Sequence, residues 1–499
     1  MSVDGASIDW TSLATTLAKD PRPLVHGARM DVAGPGYELT APRDGSVLCS
    51  VPEPSARDVQ HAVECARAEQ QVGCWPGFTP RVRGEILKDW ADGIEAQRVE
   101  LALLVSLETG KPVREALEVD LQSVVKALRW HGALADKLHG DHPDVGSRDL
   151  ALVSREAVGV VGILLPSNFP LSLIGYDVAP ALMLGNSVVI KPSEQAPLSV
   201  LRVCEIAVEA GVSRDAISVL PGLSSTVGQA IARHGDIDAI SVTGSVAAGR
   251  AVMAASAESN GKRVWPELGG KSAALIFQDA GDIGAAAAAL AWGSFLNQGE
   301  MCTGCSRVLV EAPVHDEFVD AFSREIDKLR LGDPLDWATT VGALTTRRQR
   351  ELAEDAVART VDGGGSIVRG GEVRDVVEGG HYFPPTLLTE AAPDSPVFTD
   401  EVFSPIVAVR SFDDVDDAQA TIHASGYGMG LSVWTSSLDR AFQVTRRAKV
   451  GIAWVNCFEG DDMTVPAGGV GRSGYGRTKG LAVLDKYSDI KTTWVHLDS

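Results

Sequence analysis

Cysteine is scarce: the chain has seven in 499 residues, an odd number with no regular spacing. That excludes a disulfide framework and points to a reducing, cytoplasmic setting. Positive charge is short too. Lys and Arg total 45 against 66 Asp and Glu, a net of −21. Such a surface repels phosphate backbones and anionic lipids, which argues against nucleic-acid or membrane binding driven by charge. Long apolar runs are missing; the stretch Ala285–Ala291 is far short of a bilayer span and is built mostly of alanine. The opening MSVDGASIDW has neither a basic nor an apolar leader segment, so no secretory signal is expected. Internal repeats and low-complexity tracts do not stand out.

What is present is apolar bulk. At 45% apolar residues the chain can bury a sizeable core, and its length suits two large domains or three ordinary ones. From about residue 157, continuous apolar runs alternate with amphipathic helices. AVGVVGILL, SVVIKPSE, ISVLPG and DAISVTG read as buried strands, with LSVLRVCEIAVEAG as a helix between two of them. After residue 270 the pattern resumes with SAALIF, SRVLVEA, SPIVAVRSF, GLSVWTS and GIAWVN. Buried strands separated by helices indicate parallel, doubly wound sheets, so two αβ domains are expected. The first 150 residues look more helical, with LKDWADGIEAQRVELALLVSLE read as one helix, and DIKTTWVHLDS reads as a terminal strand free to pair elsewhere. The acidic cluster Asp413, Asp414, Asp416 and Asp417 reads as a solvated helix start.

Several positions carry chemistry, each beside a plainer reading. Gly244 and Ser245 in ISVTGSVAAG stand between a strand and a helix, where free N–H groups can cradle a pyrophosphate or merely make a tight turn. Lys191 and Glu194 in KPSE end a strand, where a lysine and a carboxylate suit ribose hydroxyls or a solvated loop. Cys302, in NQGEMCTGCSR, lies in a polar, glycine-containing stretch, unlike Cys204, which falls on an apolar helix face and reads as core. Cys302 and Cys305 form a C-x-x-C, but no second pair or His cluster accompanies them, so no metal is expected. Glu267 in VWPELGGKS follows a strand and is either a base or half of an ion pair. Asn168 in LLPSNFP closes a strand and either donates to an oxyanion or caps a turn.

Together the segments PSNFP, KPSE, VTGSVAAG, ELGGKS, NQGEMC, EVFSP, GIAWVN and AGGVGRSGYGR, in that order, resemble the aldehyde dehydrogenase superfamily over nearly the whole chain. ETGKPVREAL, ARHGDIDAI, SNGKRVWPELGGKSA, GDDMTVP and YSDIKTTWVHLDS are most similar to the bacterial γ-glutamyl-γ-aminobutyraldehyde dehydrogenases of putrescine breakdown. The resemblance implies a Rossmann-like NAD-binding domain from residues 1–130 and 154–266 and a catalytic domain from 267–479. It also implies a small β oligomerisation element from 131–153 and 480–499, in a homodimer or homotetramer.

The resemblance further implies that Cys302 attacks the aldehyde, that Asn168 and the Cys302 N–H hold the oxyanion, and that Glu267 activates water against the thioester. It gives Lys191 and Glu194 to the adenine-side ribose, with NAD favoured over NADP, and Gly244 and Ser245 to the pyrophosphate. Glu401, Phe403 and Gln349 fall at the nicotinamide ribose and ring. Ser167, Met301, Phe458, Glu459 and Asp120 fall along the aldehyde channel. Glu459, Asp461 and Asp462 read as an exposed acidic loop at its mouth, which would steer a cationic aminoaldehyde. The chain departs from the family pattern at Ser167, Val242, Ala467 and Gly471. A catalytically impaired nucleotide-binding homologue, or a thiol acyltransferase or esterase of the same fold, are the alternatives; the carboxylate at Glu267 weighs against acyl transfer.

Overall fold

A computed structural model describes residues 5–374 and 376–497. Two seven-stranded sheets carry the molecule. The first contains β1 (Leu24–Val25), β2 (Ala28–Arg29), β3 (Val160–Leu164), β4 (Ser187–Lys191), β5 (Ile217–Val219), β6 (Ala239–Gly244) and β7 (Arg263–Leu268), in the order β7-β6-β3-β4-β5-β1-β2. Strands β3 to β7 are parallel, and β1 and β2 add an antiparallel edge. Strands β3, β4 and β5 are buried at every position, which is why their sequences run apolar rather than alternating. The helix Pro197–Glu209, with proline at its start, packs Val200, Leu201, Val203 and Ala207 into the core, and Cys204 is fully buried among them as expected.

The second sheet contains β8 (Ser272–Ile276), β9 (Cys305–Glu311), β10 (Ser366–Arg369), β11 (Thr386–Thr389), β12 (Ile406–Phe412), β13 (Gly430–Trp434) and β14 (Ile452–Val455), in the order β10-β11-β12-β9-β8-β13-β14. Only β10 runs antiparallel to its neighbour. Both sheets are covered on each face by apolar clusters, so the two doubly wound αβ units expected are present.

Three details differ from the sequence reading. LKDWADGIEAQRVELALLVSLE is two helices, Pro80–Ala96 and Arg98–Thr109. Gln97 leaves helical geometry at φ −108°, ψ 19° and closes the first helix onto Ile94, so the chain turns between an amphipathic helix and one buried from Leu101 to Thr109. Glu267 lies within β7 rather than after it, opposite Thr243 of β6. The terminal strand Ser488–His496 pairs antiparallel with Asp149–Ala157 of the same chain, a strand that runs across the expected boundary at residue 153. The acidic cluster does begin a helix, Val415–His423, which Asp414 caps. Among the described residues, no helix is long and apolar enough to cross a membrane.

Candidate active site

The candidate residues stand at strand ends of the first sheet and in the loop that enters the second. Asn168 follows β3, Lys191 closes β4, Gly244 closes β6, Glu267 stands in β7, and Cys302 lies just before β9. Carboxyl ends of parallel strands are where doubly wound sheets hold ligands.

Cys302 is half-buried on a loop whose approach is strained. Asn297 (φ 52°) and Gln298 (φ 46°) are left-handed without being glycine, and Gly299 (φ 76°) follows. Such residues cost about 1–3 kcal/mol each and persist only where the surroundings over-determine them. Here they do. Glu115 accepts from the Asn297 N–H (2.8 Å), and the Asn297 amide donates to the carbonyls of Asn168 (3.1 Å) and Glu300 (2.9 Å). Gln298 donates to Glu300 (3.0 Å), which also accepts from the Thr345 hydroxyl (2.6 Å) and N–H (3.1 Å). Of the eight left-handed non-glycine residues described, Asn297 and Gln298 lead into the Cys302 loop and Phe403 lines the crevice beside it, a concentration that marks a functional site. Burial, then the carboxylates Glu459, Glu401 and Glu267, push the Cys302 thiol up to about 12. Cys305 is fully buried on β9 and donates weakly to the Arg307 carbonyl (3.5 Å).

Asn168 is 7% exposed, and its amide donates to the Glu300 carbonyl (3.1 Å), which aims it at the Cys302 loop. Lys111 Nζ fixes the Asn168 backbone by donating to its carbonyl (2.8 Å), lies 3.9 Å from the Phe169 ring centroid, and pairs with Asp120 (2.5 Å). Glu267 Oε1 accepts from Lys486 Nζ (2.8 Å). The same ammonium donates to Asp177 Oδ1 (2.5 Å), which also accepts from Tyr487 (2.7 Å) and Ser241 (3.1 Å). Burial raises the Glu267 carboxyl, Lys486 opposes that, and Asp177 adds to it. Neither Asp177 nor Lys486 was singled out from the sequence. Asp177 had one signal, a lone acid in the apolar run LIGYDVAPALML.

Among the cofactor candidates, Lys191 is buried at 3% exposure, donates to Ser224 (3.0 Å) and pairs with Glu194 (3.2 Å). Glu194 accepts from the Ser224 N–H (2.5 Å). Burial would raise its carboxyl, but Lys191 and Ser224 outweigh that and hold it below the usual range. Ser245 caps the helix Val246–Ala257 by accepting from the Ala248 N–H (3.1 Å). A Cβ at Gly244 would meet only Ala248 Cβ at 3.8 Å, so the space at this helix N-terminus is open to a ligand. Glu401 accepts from the Gly270 N–H (2.7 Å), and a Cβ on Gly269 would strike its carboxylate at 1.8 Å. Gln349 does not aim outward: its amide donates to the carbonyls of Val402 and Phe403 and braces the segment that carries Glu401. Strand-end carboxylate and lysine, open helix N-terminus and braced Glu401–Phe403 segment fit a dinucleotide.

The channel candidates divide. Asp120 is not at an open mouth; it is fully buried and paired with Lys111 because it lies on the inner face of its helix. Phe458 is buried against Trp454 (5.1 Å between centroids), and a Cβ on Gly293 would strike its ring at 2.0 Å, so it is packed into the wall. Met301 and Phe403 line a crevice beside Cys302 with Gly270 and Glu401, and Ser167 is partly exposed next to Asn168.

Two of the three acids expected in an exposed loop are so placed: Asp461 and Asp462 are exposed, and Glu459 is not. Asp461 is paired with Lys479 (2.6 Å), whose ammonium lies 4.5 Å from the Tyr176 ring centroid, and Asp462 stands 4.0 Å from Lys126. Glu459 turns inward instead. Its Oε1 is shielded from solvent with no hydrogen-bond partner, and burial raises the carboxyl while Thr303, next to the nucleophile, and Lys479 oppose that.

A model of the aldehyde dehydrogenase family matches residues 31–493. The chain is 36% identical over 491 residues to the NADP/NAD-dependent aldehyde dehydrogenase PuuC of Escherichia coli (strain K12), covering 98% of each. An indole-3-acetaldehyde dehydrogenase mutant of P. syringae, AldA, solved with NAD+ and IAA, matches with TM-score 0.96 and 38% identity over 99% of this chain and 100% of that one. A γ-glutamyl-γ-aminobutyraldehyde dehydrogenase of Burkholderia cenocepacia matches with TM-score 0.95 and 37% identity over 98% and 99%. Full-length likeness at this level leaves no room for a different fold around Cys302: the chain belongs to the aldehyde dehydrogenase family and is an NAD(P)-dependent aldehyde dehydrogenase.

Proposed function

We propose that the chain oxidises an aldehyde carrying a cationic amino group to its carboxylic acid, with Cys302 as nucleophile, Asn168 as oxyanion donor and Glu267 as hydrolytic base. The observation that carries the substrate class is Glu459. A shielded carboxylate oxygen without a partner, beside the reacting thiol, is costly unless something cationic arrives to meet it. The likeness to a γ-glutamyl-γ-aminobutyraldehyde dehydrogenase supports the same class.

Cys302 gives up its proton and adds to the aldehyde carbon, forming the C–S bond while the carbonyl oxygen becomes an alkoxide. The Asn168 amide and the Cys302 N–H face that oxygen. NAD, held by Lys191, Glu194 and the Gly244–Ser245 turn, would supply the acceptor for the hydride that the carbon gives up as its C=O bond re-forms. The chain then holds a thioester on Cys302, and Glu267 takes a proton from water as its oxygen attacks the acyl carbon. The C–S bond breaks, the acid leaves, and the sulfur is free again. Lys191 and Glu194 hold the adenine-side ribose, and Glu194 repels a 2′-phosphate, so NAD is preferred over NADP.

The first sheet, with residues 1–130 and 154–266, serves as the cofactor domain, and 267–479 as the catalytic one. The pair Asp149–Ala157 and Ser488–His496 forms the core of the oligomerisation element. It leaves Ile490 65% and Trp494 58% exposed, apolar surface suited to a second copy in a homodimer or homotetramer.

The test is kcat/KM with NAD for an ω-aminoaldehyde and a neutral aldehyde of equal length, in the wild type and Glu459→Gln. A loss of about tenfold or more confined to the amino substrate is expected. Equal effects on both, or none, would refute the assignment of Glu459.

A further inference from the structure

We propose that Lys486, anchored by Asp177, is the positioning residue for Glu267: its ammonium docks the carboxylate away from Cys302 until water must be activated, and re-ionises it after each hydrolysis. The inference rests on Glu267 as the hydrolytic base. Its observations are geometric. Lys486 Nζ bridges two carboxylates, Glu267 Oε1 at 2.8 Å and Asp177 Oδ1 at 2.5 Å, and is itself 1% exposed. Asp177 Oδ1 collects donors from Lys486, Tyr487 and Ser241, whereas Asp177 Oδ2 is buried without a partner. The anchor is therefore fixed by three contacts while Glu267 is held by one. Glu267 is the arm free to swing. A Cβ at Gly476 would meet Glu267 Cγ at 2.6 Å, so the glycine there leaves the side chain room.

The charge count explains why such a dock helps. Two carboxylates and one ammonium leave one buried negative charge. A proton taken from water by Glu267 neutralises it, which makes Glu267 a stronger base than it would be beside Lys486 alone. When the carboxyl returns to the ammonium, the ionised form is favoured again and the proton passes to water. Lys486, buried but flanked by Asp177, Glu267 and Tyr487, stays charged throughout. The charged groups around Glu267 are Lys486, Asp177 and Arg477, and the neutral titratable ones are Tyr487 and the Cys302 thiol. Only Lys486 and Asp177 act with opposite sign on Glu267 from a shared contact.

That opposition gives the test. Pre-steady-state NADH formation and the steady-state rate are followed against pH for Glu267→Gln, Lys486→Arg, Lys486→Met, Asp177→Asn and the double variant Lys486→Met/Asp177→Asn. Lys486→Met should keep the NADH burst, slow steady turnover about tenfold near neutrality, and move the limb on which activity rises with pH upward by about one unit. Asp177→Asn, whose amide oxygen still accepts from the same three donors, should move that limb downward. Lys486→Arg should restore the wild-type profile, and the double variant, which removes both charges, keeps the comparison open if Lys486→Met does not fold. A limb unmoved in Asp177→Asn, a double-variant limb that does not lie above that of Asp177→Asn alone, or limbs moved in the same direction by Lys486→Met and Asp177→Asn would overturn the dock. A Glu267→Gln enzyme that still turns over at full rate after its burst would overturn the underlying assignment of the base instead.

Discussion

Glu459→Gln should make Cys302 more reactive toward an alkylating agent even as it weakens oxidation of aminoaldehydes. The thiol sits high, at about 12, because burial comes first and the Glu459 charge next. At that value only about one thiol in 3,000 is ionised at pH 8.5. A like charge close by moves such a group by about one unit or more, so removing it should raise the thiolate population about tenfold. Nucleophilicity falls as the thiol becomes more acidic, with a sensitivity of about 0.4–0.5, so the net gain in alkylation rate is about three- to fourfold. The assay is the second-order rate with iodoacetamide at pH 8.5 without cofactor, in wild type, Glu459→Gln and Asp461→Asn. Asp461 is already paired with Lys479 and should leave the rate unchanged. Glutamine has nearly the same shape as glutamate, so access to the sulfur is preserved. An unchanged or slower rate in Glu459→Gln would refute the argument that this carboxylate governs the thiol.

Other consequences follow from single contacts. Gly270→Ala would place a Cβ 2.0 Å from the Cys302 carbonyl oxygen, so aldehyde oxidation should fall about 100-fold or more while NAD binding, read by fluorescence quenching, persists. Glu194→Gln should raise the NADP/NAD ratio of kcat/KM about tenfold by removing the charge that repels a 2′-phosphate. Glu300 is raised by burial to about 7 from an ordinary 4.5, so the folded state binds its proton more tightly than the unfolded one. Its contribution to stability is full below about pH 4.5 and is lost as pH rises through about 7. Between pH 5 and 8 the melting temperature should fall, and in Glu300→Gln that fall should be smaller by a few degrees.

The sheets were legible because strands buried on both faces must be continuously apolar, as β3, β4 and β8 are. Strand β7 was harder to delimit: Pro266 and the charged Arg263 and Glu267 interrupt its apolar pattern, and it holds as a strand because Gly474 and the loop around it close over its edge. The break at Gln97 was hidden by apolar periodicity that runs through it. Local motifs singled out Cys302, Asn168, Glu267, Lys191 and Gly244, which stand at strand ends of the first sheet and in the loop before β9. What they could not show is pairing at long range. Lys486 meets Asp177 across 309 positions, and Asp120 meets Lys111 on a neighbouring turn that only packing brings underneath Asn168. Whether an acid faces water or the nucleophile is set by the same packing, so Glu459 and Asp461, two residues apart, have different surroundings.

The most direct test of the two-stage account is a single turnover of Glu267→Gln with NAD and an aminoaldehyde, quenched in acid and followed by peptide mass analysis. About one NADH per active site and an acyl mass added to the peptide carrying Cys302 are expected. Continued steady NADH release without that adduct, or an acyl group on any other residue, would contradict it.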